Sequence, residues 1–104
     1  MTAKDPIAID PDIRRAETLP ARFYRSTELF ATSRNRLFAR SWQYAGDVDP
    51  LRPPGQVQPF TLLPGMLDEP LLLARGDDDR LRCLSNVCTH RGTLVAEHAG
   101  RCRD

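Results

Sequence analysis

Cys88 and His90 stand one residue apart in the run Asn86-Val87-Cys88-Thr89-His90-Arg91-Gly92. A thiolate is a soft ligand and an imidazole a borderline one, so the pair suits transition-metal chemistry. One use of such a pair in a loop is a mixed site, in which Cys holds one iron of a [2Fe-2S] cluster and His the other. A separation of one residue fits that task, because the side chains must diverge towards two bridged irons instead of converging on one ion. Gly92 lets the backbone bend close to the cluster with no Cβ in the way. A zinc module is the rival use: Cys83, Cys88, His90, His98 and Cys102 supply enough N and S donors for a tetrahedral ion, although their spacing matches no common paired-knuckle arrangement.

The elements around this loop must bring it to a defined place. Leu81 to Ser85 leads into it as a strand and forms a hairpin with Pro70 to Arg75 across the polar tip Gly76-Asp77-Asp78-Asp79. The three Asp read as a solvated turn, since no bidentate Glu follows at the calcium-loop position. Gln56 to Leu63 reads as another strand, pushed towards a sheet edge or a break by Pro59, and reached through the proline-rich stretch Asp49 to Gly55. Ser41 to Ala45 alternates as a strand with Trp42 and Tyr44 on one side, which predicts Trp42 as a packing anchor. A helix is predicted from Ser26, with Ser26 or Thr27 capping it, Glu28 at its positive end and Arg34, Arg36 and Arg40 towards its negative end. Phe30, Leu37 and Phe38, with Ala31 or Arg34 between them, give it a core-facing side. Residues 1–20 read as an arm, extended or poorly ordered, in which only Asp12 to Leu19 can make a short helical turn. Cys83 is expected to be a buried thiol, His98 a surface histidine and Cys102 a turn cysteine.

Composition bounds the rest. At 104 residues and 40% hydrophobic, the chain suffices for one small domain with one core. A net charge of +1 with scattered Arg gives no footprint for nucleic acid. The longest purely apolar run, Leu71 to Ala74, is far short of a membrane span, and the charged first twenty residues hold no secretory h-region. Three Cys without an export signal predict reduced thiols in a cytoplasmic setting.

The heptad Asn-x-Cys-x-His-Arg-Gly resembles the first cluster-binding loop of Rieske proteins. Phe23-Tyr24, Glu28-Leu29-Phe30, Leu37 to Gly46, Pro54-Gly55 and Glu69 to Arg75 extend the resemblance, in order, to the start of the large (alpha) subunit of Rieske non-haem-iron oxygenases of the aromatic ring-hydroxylating dioxygenase type. That likeness implies a mostly β fold with one N-terminal helix, an incomplete Rieske-type antiparallel β-sandwich. It divides the chain into an arm at 1–20 and an incomplete Rieske domain with its leading helix at 21–104, without the C-terminal catalytic domain. It makes Cys88 and His90 metal ligands, and Arg91 and Gly92 cofactor-binding residues. The family's second loop, Cys-x-x-His, lies about 15 to 17 residues after the first imidazole and so would fall past Asp104. With half of the ligands in hand, the 104 residues are expected to be a front piece of such a subunit and inactive alone.

In such oxygenases, electrons pass from NAD(P)H through a reductase, sometimes with a ferredoxin, to the Rieske cluster. They continue to a mononuclear Fe(II) in the second domain, where O2 oxidises an organic, here an aromatic, substrate. Two neutral imidazoles in place of two thiolates make the cluster easier to reduce, on the order of several hundred millivolts. The parent would be a homotrimer or hetero-oligomer. A stand-alone Rieske ferredoxin is the alternative carrier, against which stand the helix and the Trp42 segment ahead of the sheet.

Overall fold

The computed structural model describes residues 7–102. The chain divides into two units, Met1–Gln43 and Tyr44–Asp104. The first unit is helical. Asp12 opens a single turn, its carbonyl accepting the N–H groups of Arg15 and Ala16 at 2.9 Å each. Pro20 precedes α1, Ala21–Arg25, because a fixed φ of −62° suits a helix start. Ser26 then ends α1 and starts α2, Thr27–Arg36: its extended backbone stops the first helix, and its Oγ accepts the Leu29 N–H at 3.2 Å. The predicted cap thus stands, with Glu28 in the first turn and Arg34 and Arg36 in the last. A 3-10 turn, Phe38–Arg40, follows.

Two expectations fail, one in this unit and one at its boundary with the next. Phe30 and Leu37, predicted to face a core, are exposed, because helices of five and ten residues enclose too little to cover them. The strand predicted over Ser41 to Ala45 does not form. Alternation is a local pattern, while a strand exists only when another pairs with it, and none of the four described strands does. Trp42 is therefore fully exposed instead of acting as an anchor.

The second unit is a four-stranded sheet in the order β3-β2-β1-β4, every pairing antiparallel. Its strands are β1, Gln56–Leu62; β2, Glu69–Arg75; β3, Leu81–Ser85; and β4, Gly100–Arg101. The hairpin foreseen around Asp77 to Asp79 is β2–β3, in register from Leu71 opposite Ser85 to Arg75 opposite Leu81. Arg75 fixes its tip, donating to the Asp79 carbonyl at 2.9 Å, while Arg82 pairs with Asp78 at 2.6 Å. Pro59 lies within β1 opposite Leu72. It is tolerated there because β4 reaches only Gln56 and Val57, so no described strand needs a donor on the other side of β1 at that point.

The core is small. Leu51, Leu72 and Leu73 are the buried hydrophobic residues among those described. Leu51 sits in a 3-10 turn, Asp49–Leu51, and its carbonyl accepts the Arg75 Nε–H. Arg75 and Leu73 share a face of β2 by the two-residue period, so that turn covers the Leu73 side of the sheet. Among the described residues, no helix is long and apolar enough to cross a membrane.

Candidate metal centre

β3 ends at Ser85, and the next residue turns the chain away from the sheet. Asn86 donates its backbone N–H to the Pro70 carbonyl at 2.9 Å, which fastens the start of the loop to β2. Val87 and Leu94 then face each other in an isolated antiparallel bridge. Above it, Cys88 donates its N–H to the Thr93 carbonyl and accepts the Gly92 N–H on its own carbonyl, each at 2.8 Å. Thr89, His90 and Arg91 are left as the tip of a narrow turn. Gly92 closes that turn at φ +68°, a left-handed conformation in which a side chain is strained, and the space on its Cβ side is open.

Cys88 is half-buried, while His90 and Arg91 are exposed. The backbone N–H groups of Arg91 and then His90 donate towards the Cys88 sulfur and hold its thiol below the ordinary range, against a smaller opposing effect of burial. Hydrogen bonds to the charged form favour the thiolate, which is the form that binds metal. The turn therefore offers a primed sulfur and an accessible imidazole on one short stretch of backbone.

The other donors do not gather round it. Among the described residues, no three His, Cys, Asp or Glu side chains come together as a metal-binding group, so the zinc module drawn from Cys83, Cys88, His90, His98 and Cys102 is not assembled. Cys83, predicted to be buried, is exposed, because β3 is the outer strand and all five of its residues are exposed. His98 is exposed as foreseen. Cys102 follows β4 instead of occupying a turn, with its N–H donated to the Gly55 carbonyl at 2.8 Å.

One residue of the loop carries more than its type suggested. Asn86 is 2% exposed and is the only buried polar residue among those described. Its sole signal in the sequence is its place at the head of the heptad, since the group it bonds to is the main chain of Ala96.

Residues 41–104 match the family model of the Rieske [2Fe-2S] domain. Over 95 residues the chain is 30% identical to the carnitine monooxygenase oxygenase subunit of Acinetobacter baumannii, covering 91% of this chain and 24% of that protein. It is 31% identical over 94 residues to the chloroplastic choline monooxygenase of Spinacia oleracea, covering 88% of this chain and 20% of that protein. Its fold is similar to that of a quaternary ammonium Rieske monooxygenase from a study of carnitine oxidation by gut microbiota. That match has a TM-score of 0.79 at 26% identity and covers 94% of this chain and 27% of the other. The chain thus spans a quarter or less of the length of the two curated relatives.

Proposed function

The chain belongs to the Rieske [2Fe-2S] domain family, and from that premise we propose that it is the electron-accepting portion of a Rieske oxygenase. Cys88 and His90 would be its half of the ligand set, and Arg91 and Gly92 would lie beside the bound group. The observation that carries this reading is the match of residues 41–104 to the Rieske domain family, with Cys88 and His90 on one narrow turn that Gly92 closes. The donor set fits as a half-site: one thiol and one exposed imidazole on a single turn, with open space beside Gly92.

A bound [2Fe-2S] group would supply a one-electron relay. The chain's own contribution is positional. The Cys88–Thr93 and Gly92–Cys88 hydrogen bonds hold the turn narrow, so thiol and imidazole leave it as separate donors. The exposed Arg91 is available to acidic groups of a neighbouring domain.

For the parent enzyme, the relatives support electron supply from NAD(P)H through a reductase, sometimes with a ferredoxin. They also support delivery to a mononuclear Fe(II) and an oligomeric assembly in the manner of oxygenase subunits. The carnitine and choline monooxygenases favour a quaternary ammonium substrate over the aromatic one first expected. The unpaired Cys83, Cys88 and Cys102 suit a reducing compartment such as the cytoplasm.

The test is metal and acid-labile sulfide analysis, with EPR, of a version extended past Asp104. About two irons and two sulfides per chain are expected, lost in both Cys88→Ser and His90→Ala. Zinc without sulfide would overturn the reading. The 104-residue polypeptide by itself brings two donors and is expected to take up no stable cluster; a Rieske-type EPR signal from it would contradict the half-site assignment.

A further inference from the structure

Resting on the assignment of Cys88 and His90 as donors, we propose that Asn86 is a positioning residue. Its buried carboxamide closes the loop that carries both donors and so sets the relation in which they are presented. The Asn86 Nδ2 donates to the Ala96 carbonyl at 2.8 Å, and its Oδ1 accepts the Ala96 N–H at 2.8 Å. The side chain thereby imitates a strand neighbour, satisfying both main-chain groups of a residue ten positions on. The backbone of Asn86 adds two further bonds, to the Pro70 carbonyl at 2.9 Å and from the Val95 N–H at 3.0 Å. One residue thus joins the start of the loop, its end and strand β2.

From that junction a short ladder climbs to the site. The Val87–Leu94 bridge is its first rung and the bond from Cys88 N–H to the Thr93 carbonyl its second. Cys88 is two residues from the junction, so the position of its sulfur is set through these rungs. Few other side chains can perform the closure. Leucine matches the volume with no polar atom, and leaves the Ala96 N–H and carbonyl without their partners in a buried place. Aspartate keeps the acceptor but turns a second oxygen on the Ala96 carbonyl in place of the donor.

The experiment compares the extended protein with its Asn86→Leu and Asn86→Asp variants. Amide hydrogen exchange is measured in the loop and in β1–β2, and EPR and reduction midpoint are measured on the cluster. Positioning predicts exchange at Cys88, Val95 and Ala96 faster by at least about tenfold in Asn86→Leu. The β1–β2 amides should stay unchanged, and the EPR signature and midpoint should shift at undiminished iron content. Asn86→Asp should fall between wild type and Asn86→Leu in each readout. Loop exchange that does not change, or that rises equally across the sheet, would overturn the proposal by making Asn86 idle or merely a core residue. If the wild-type extended protein takes up no iron and sulfide, the donor assignment fails, while the exchange pattern still decides whether Asn86 clamps the loop.

Discussion

Gly92 gives the turn its shape through backbone alone. At φ +68°, with nothing within 4 Å of where a Cβ would stand, the penalty for a side chain is conformational and not steric. Gly92→Ala is therefore expected to lower stability by about 1 kcal/mol, the cost of a left-handed L-residue. Denaturant unfolding of the extended protein reads this directly, and an unchanged midpoint would show that the turn relaxes freely. Cys88, His90 and Gly92 were legible in the sequence because the chemistry resides in their own side chains, or in the lack of one. The clamp at Asn86 was not, since its partner contributes only main-chain atoms and nothing about the identity of Ala96 announces it.

The hairpin β2–β3 ends in a charge pair that titrates. The Arg82 guanidinium, hydrogen-bonded to Asp78, is the main reason that carboxyl is lowered from 3.8 to about 2. A carboxylate with a depressed folded-state value contributes stability that is complete above 3.8 and disappears as the pH falls towards 2. Urea midpoints followed from about pH 5 down to pH 2 should thus fall more steeply for the wild type than for Asp78→Asn. Parallel curves would refute the coupling. Both side chains are about half exposed, so the difference is small. Among the elements, this hairpin was readable because turn residues and apolar runs told the same story. Ser41 to Ala45 misled because alternation was present and a partner strand was not. The two-residue β4 escaped notice altogether: Gly100 and Arg101 have no strand signature, and only the register with Gln56 and Val57 makes them one.

Three leucines form the buried apolar centre of the described chain, and Leu51 is the most enclosed of them at 1% exposure. Leu51→Ala is expected to cost about 2 to 4 kcal/mol. In a domain this small, that is a large part of the total, and a far-UV circular dichroism melt of the extended protein should show a fall in Tm. A Tm within a degree or so of wild type would mean that the Asp49–Leu51 turn is not what seals that face. The outer strand has a further consequence. β3 lies at one end of the sheet order with every residue exposed, so its free rim is a template on which another extended chain can crystallise into ribbons. Arg82, the second residue of that strand, sets a charge against such growth and is paired with Asp78 of the tip. The guanidinium that steadies the hairpin therefore also bears on pairing at that rim, and acid separates the two roles: protonating Asp78 loosens the tip but leaves Arg82 as an uncompensated positive charge on the rim.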